Sequence, residues 1–138
     1  MTSNGTELVH LYYEKFLTAQ GDLTVADKIM TEDVVFRNPI SPDGIHGIAE
    51  YQAFAQRWYR GFPDRVFTVH DTVEAGDLVA ASFTITGTHR GEFMGAAPTG
   101  NPIVVNGMNL FRIRDGRIQD VQAFFDSSQL HKPLGITG

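Results

Sequence analysis

At Pro63 the spacing of apolar residues changes from that of helices to that of strands, and few folds accommodate such a division. Before it, Val9, Tyr13 and Phe16 recur at helical spacing, with Leu8 and Tyr12 on the adjoining stripe. This spacing predicts a first helix from about Ser3 to Gln20, opened by Asn4 with Glu7 three residues on and closed by Gly21-Asp22. A second, short helix from Thr24 to Met30 would bury Leu23, Ala26, Ile29 and Met30. Val34-Val35-Phe36 reads as a short strand, and Pro39-Ile40-Ser41-Pro42-Asp43-Gly44 as a loop. A third helix, from about Gly47 to Tyr59, presents Ile48, Tyr51, Phe54, Ala55 and Trp58 on one side and ends at Gly61-Phe62-Pro63.

Beyond Pro63 the period is two. Arg65 to Glu74 and Leu78 to His89 are rich in Val, Phe, Thr and Ile and join at Glu74-Ala75-Gly76-Asp77. Pro102 to Arg114 and Arg117 to Asp126 form a second pair around Asp115-Gly116, a strong hairpin signal. Helices followed by long antiparallel strands imply an α+β fold with the helices on one face of the sheet. At 138 residues the chain is the size of one domain, spanning residues 1–138, with enough length to bury a core without staples.

The charge balance narrows the partners. A net charge of −5 repels phosphate backbones, and the nearest basic group, Arg57, Arg60 and Arg65, is diluted by Glu50 and Asp64, so nucleic acid is not expected. There is no cysteine, which excludes disulfides, thiolate metal sites and thiol nucleophiles. No two histidines stand at i,i+4 or cluster with a carboxylate, so no metal site is expected. The first residues, Met1-Thr2-Ser3-Asn4-Gly5-Thr6-Glu7, lack the pattern of a secretory signal, and no apolar run approaches the roughly 20 residues that span a bilayer. The expected setting is the cytoplasm, without a membrane partner.

A two-residue turn at Asp115-Gly116 fixes cross-strand partners by counting outward. Arg114 then faces Arg117, Ile113 faces Ile118, and Phe111 faces Asp120. Asn109 faces Gln122, Gly107 faces Phe124, and Val105 faces Asp126. Because side chains alternate, Asn109, Phe111, Gln122, Phe124 and Asp126 are expected to share one face. Polar groups set among aromatics are what a small-molecule pocket needs. Both faces of the hairpin are largely apolar, so one is expected to meet the helices and the other a partner subunit.

Gly87-Thr88-His89-Arg90-Gly91-Glu92-Phe93-Met94-Gly95, then Pro98-Thr99-Gly100, Phe111-Arg112 and Asp115-Gly116-Arg117-Ile118 resemble the SnoaL-like polyketide cyclase family. Pro63-Asp64, Asp126 and Pro133-Leu134-Gly135 fit the same pattern, so the resemblance spans nearly the whole chain. It implies an NTF2-like cone: three N-terminal helices enclosing a pocket against a curved, mostly antiparallel sheet, with homodimers formed through that sheet. It implies an intramolecular aldol closure, without metal or cofactor, in which Asp126 is the general acid/base. The sequence departs from the family at Gln122, where a tryptophan is common, and at Ser82, where an arginine is frequent. Asn109 stands near where the cyclases place a histidine.

Acid/base work by Asp126 requires a proton to leave a carbon acid and return to an oxygen after the skeleton closes. Desolvation among Phe111 and Phe124 is expected to raise its pKa, as suits such two-way traffic. Asn109 and Gln122 would then orient or stabilise the substrate oxygen, each worth about 2–4 kcal/mol if well aimed. Tyr13, His46, Trp58, Phe111 and Phe124 are the expected substrate contacts, with His46 at the pocket mouth. The bland alternative for Asp126 is a strand-end cap for the chain from Ser127 onward. Three uses of the pocket stay open: a cyclase or isomerase acting on an apolar, carbonyl-rich molecule, a hydrolase opening epoxides with water held between Asp126 and a neutral amide, and a binding or dimerisation module without catalysis.

Overall fold

The computed structural model describes residues 4–18 and 21–136. The first helix is α-helical over Asn4–Leu11 (α1) and continues as a π-helical turn over Tyr12–Phe16, closed by the amide of Leu17 on the carbonyl of Tyr12 at 3.1 Å. The wider turn carries Tyr12, Tyr13 and Phe16 into the interior together. The expected ends at Ser3 and Gln20 lie outside the described residues, as does the cap expected from the Asn4 side chain. The second helix is a 3₁₀ turn at Leu23–Val25 followed by Ala26–Ile29 (α2), so Met30 already belongs to a strand.

That strand, β1 (Met30–Asn38), is longer than the three residues expected. It turns at Pro39-Ile40 into β2 (Ser41–His46), in the segment expected to be a loop. Pro42 and Gly44 pointed away from a strand, but β2 is a sheet edge, where a proline withholds no ladder hydrogen bond. Helix α3 (Ile48–Gly61) is followed by β3 (Val66–Ala75), β4 (Leu78–Thr88), β5 (Pro102–Arg114) and β6 (Arg117–Phe125). A short helix, α4 (Ser128–Leu134), was not expected.

The six strands form one curved, open sheet in the order β2-β1-β6-β5-β4-β3, antiparallel except where β1 runs parallel to β6. Helices α1 to α3 cover its inner face, as expected for an NTF2-like cone. Tyr12, Phe16, Tyr51 and Phe111 are buried between the layers and meet edge to face, for example Tyr12 and Phe111 at 5.2 Å. No helix among the described residues is long and apolar enough to cross a membrane.

One buried cation ties the helical layer to the sheet. Arg65 is 1% exposed; its Nε donates to the carbonyl of Leu17 at 2.7 Å, Nη1 to that of Phe62 at 3.2 Å, and Nη2 to that of Thr18. Its guanidinium lies 4.0 Å from the centre of the Tyr59 ring. This cluster fastens the end of the first helix to the start of β3.

The hairpin register differs from the count outward from Asp115-Gly116. Arg114 pairs with Arg117 and Ile113 with Ile118, but Arg112 pairs with Asp120, leaving Gln119 as a surplus residue in a β-bulge. Every later partner is displaced by one: Phe111 meets Val121, Asn109 meets Ala123, and Gly107 meets Phe125. The physical reason lies in what the regular count would bury. It would turn the Asp120 carboxylate inward beside the fully buried Phe111, whereas the bulge lets Ile118 and Val121 both point inward. Asp120 instead reaches Arg37 on the outer face at 2.7 Å.

Candidate functional site

The inner face of the sheet and the helices enclose an apolar cavity of about 40 Å³. Tyr12 and Leu17 close it from the first helix, Phe54 and Trp58 from α3, and Phe83, Ile85, Ala123 and Phe125 from the sheet. Trp58 is in turn backed by Phe93, at 4.8 Å between rings, from the Gly-rich loop between β4 and β5. A water needs roughly 10–15 Å³ of such space, so the cavity as it stands holds only a few, and a ring-sized occupant requires the lining to move apart.

Two amides bring polarity into this wall. Asn109, on β5 and 4% exposed, directs Nδ2 to the Tyr13 hydroxyl at 2.5 Å, while its Oδ1 has no partner among the described residues. Asn38, on β1 and 7% exposed, accepts from the amide of Ile40 through Oδ1 at 3.0 Å, while its Nδ2 has no partner among the described residues. The Tyr12 hydroxyl is engaged with that of Tyr51 at 2.5 Å. Burial strips solvent from the phenolate forms and raises the pKa of Tyr12, Tyr13 and Tyr51, so all three remain neutral hydrogen-bonding groups.

The expected site residues divide between several places. Asn109 and Trp58 line the cavity, and Tyr13 stands directly behind Asn109. Phe111 is fully buried against Tyr12 and Tyr13, in the core behind the cavity wall. Gln122 and Phe124 are on the opposite face of the sheet, where Phe124 is 53% exposed and both border a shallow depression with Arg37, Leu110 and Asp120. The bulge at Gln119 is the cause, and it overturns the expected shared face of Asn109, Gln122 and Phe124. The hydrolase arrangement, which relied on Asn109 beside Gln122, loses its amide pair for the same reason. His46, at the end of β2, is exposed, and its ring meets the carbonyl of Asp43 at 3.2 Å instead of the cavity.

Asp126 immediately follows the cavity-lining Phe125 but is exposed, and its Oδ1 accepts from the amide of Ser128 at 2.9 Å. The expected rise in its pKa is corrected to a fall, because hydrogen bonds from the Ser128 backbone and side chain favour the carboxylate, with a smaller contribution from Lys132. A carboxyl with a folded-state pKa below its ordinary 3.8 adds stability above that value and loses it as pH falls through the folded-state value. Wild type is therefore expected to lose thermal stability relative to Asp126→Asn as pH falls from the ordinary 3.8 through the folded-state value, since the amide accepts from Ser128 at every pH. A melting-temperature difference that stays constant over that range would contradict this linkage.

Asn38 was missed, although Val34-x-Phe36-x-Asn38 continues the alternation of β1 and places its side chain on the inward face with Phe36. Stopping the strand at Phe36 hid it.

The architecture recurs in solved structures. An NTF2-like protein from Burkholderia pseudomallei superposes with a TM-score of 0.78 at 20% identity, covering 96% of this chain and 98% of that one, which defines the fold class. The chain belongs to the SnoaL-like polyketide cyclase family, whose model matches residues 7–134. A Jannaschia sp. CCS1 protein assigned as a SnoaL-like polyketide cyclase superposes with a TM-score of 0.89 at 25% identity, over 98% of this chain and 94% of that one. IdmH from Streptomyces antibioticus, assigned as a polyketide cyclase, is 32% identical with a TM-score of 0.79, over 97% of this chain and all of the other. No curated protein sequence matches the chain. Family membership supports a cofactor-independent, cyclase-type function.

Proposed function

We propose that this protein closes a ring in a small, apolar, carbonyl-rich substrate of polyketide type, with Asp126 as the general acid/base. The observation that carries the reading is the juxtaposition at the end of β6. Phe125 lines the apolar cavity, and the next residue along the chain carries an accessible, ionised carboxylate. The carboxylate takes a proton from a carbon flanked by two carbonyls, the resulting carbanion attacks a second carbonyl carbon, and the new alkoxide recovers the proton. Because a carboxylate is a weak base, the substrate's own carbonyls would supply much of the acidity, with donors at the enolate oxygen supplying the rest. Asn109, whose Nδ2 meets the Tyr13 hydroxyl, would orient an oxygen of the bound substrate through its second N–H. The test follows deuterium uptake at the central carbon of an aryl 1,3-diketone in D2O, comparing wild type with Asp126→Asn. Enzyme-dependent exchange only in wild type supports the reading, and equal exchange in both overturns it.

A second reading, a binding module without catalysis, is favoured by the cavity wall itself, in which no carboxylate or imidazole takes part among the described residues. Saturable binding of the diketone with no exchange above the buffer rate would select it.

The outer face of the sheet is proposed as the surface that pairs two copies. Met108 and Phe124 face each other across β5 and β6, 45% and 53% exposed, flanked by Arg37, Arg112 and Asp120. A two-fold axis through this strip would bury the apolar pair and set charges of opposite sign against each other. Native mass spectrometry should give twice 15.3 kDa, and a strictly single-chain mass at tens of micromolar would contradict the pairing.

A further inference from the structure

We infer that Asn38 is the residue by which the cavity recognises a carbonyl oxygen, acting as a specificity-determining hydrogen-bond donor. The inference rests on the reading that the cavity binds a small molecule, but not on any catalytic step. Its starting point is the orientation of one amide. Asparagine oxygen and nitrogen are often interchangeable in a structure, but here the backbone N–H of Ile40 points at one of them from 3.0 Å. An N–H requires an acceptor, so that atom is Oδ1, and the other is Nδ2 with two hydrogens to donate. The Asn38-Pro39-Ile40 turn between β1 and β2 therefore fixes the donor's direction before any ligand arrives.

The donor has no partner among the described residues, the side chain is 7% exposed, and Asn38 lines the cavity between Phe36 and Ile40. A buried donor left without an acceptor is unfavourable and rare in folded proteins, so its retention in a largely apolar wall calls for an acceptor that arrives from outside. Asn109 lacks this certainty, because the Tyr13 hydroxyl can give or take a hydrogen bond and either orientation of the Asn109 amide satisfies it. Of the two amides that line the cavity, Asn38 is the one whose donor has a settled sense. Among the described residues no charged side chain lines the cavity, so a carboxylate or ammonium would enter without a counter-charge, and a neutral carbonyl meets the wall on better terms.

Two hydrocarbon skeletons that differ by one oxygen test this. The chain contains one tryptophan, and Trp58 lines the cavity, so a single indole N–H resonance reports occupancy during titration with 1-indanone or with indane. Wild type is expected to bind 1-indanone about tenfold more tightly than indane, the effect of one hydrogen bond to an otherwise unpaired donor. Asn38→Ser keeps an oxygen for the Ile40 amide but removes the donor arm, and should reduce the preference to about twofold or less. Asn38→Asp keeps the turn and replaces the donor with a carboxyl oxygen; it should remove the preference as well, and it serves if the serine variant does not fold. Wild type that binds both equally, or neither, overturns the inference, as does a tenfold preference that survives in the folded variants. A donor that merely holds a water gives equal binding of the two probes. Asp126→Asn must leave the ketone preference intact, so loss of exchange with retained preference separates failure of one reading from failure of the other.

Discussion

Asp126→Asn is expected to lower enzyme-dependent exchange and ring closure by about 10²- to 10⁴-fold, the range for removing a positioned general acid/base. Its value as a test comes from what the substitution preserves. Asparagine is nearly the same size, and its Oδ1 can still accept from the Ser128 amide that now meets the carboxylate at 2.9 Å. The turn leading into α4 should therefore survive, and with it the packing of the buried Leu130 and Leu134. What disappears is the negative charge and the ability to take a proton. If the variant keeps its melting temperature at neutral pH and loses turnover, the loss belongs to chemistry. If turnover persists, Asp126 is only the cap that its hydrogen bond describes, and the binding-module reading or another base must take its place.

The second large effect concerns folding. Arg65→Met is expected to destabilise the protein by about 3–5 kcal/mol, read as a fall in the urea midpoint with little change in slope. The methionine keeps much of the apolar stem but none of the donors. The carbonyls of Leu17, Thr18 and Phe62 then lose the group that joins them. Leaving a buried polar atom unpaired costs about 1–3 kcal/mol, and the sum is tempered because the half-buried Thr18 can be rehydrated. Arg65→Lys should recover only part of the loss, because one ammonium cannot imitate a planar fork that serves three acceptors and lies against the Tyr59 ring. A cost below 1 kcal/mol for Arg65→Met would mean that water replaces the guanidinium without difficulty.

The long elements were legible because their periodicity is sustained. Strand β5 begins and ends where the alternation from Pro102 to Arg114 does, and β6 falls one residue short of Asp126, whose side chain turns to cap α4. Shorter features obey tertiary demands that local pattern conceals. An edge strand containing Pro42 and Gly44 looks like a loop, and seven residues containing Pro133 give little sign of α4. The role expected of Asp126 came from family resemblance, whereas Asn38 had a local signal that a strand cut short at Phe36 obscured. Asn109 was placed on the inner face by alternation alone, and it is there because β5 runs unbroken against β4.

The bulge at Gln119 makes the chemistry of the cavity depend on counting as well as on composition. From Asp120 to Phe125 the chain alternates between two vocabularies: Asp120, Gln122 and Phe124 on the outside, Val121, Ala123 and Phe125 on the inside. One residue more or fewer before Asp120 would exchange them, lining the cavity with an acid and an amide while offering an apolar strip to the outer face. A lineage could thus rewrite its pocket by a single insertion or deletion, without substituting any residue of the strand.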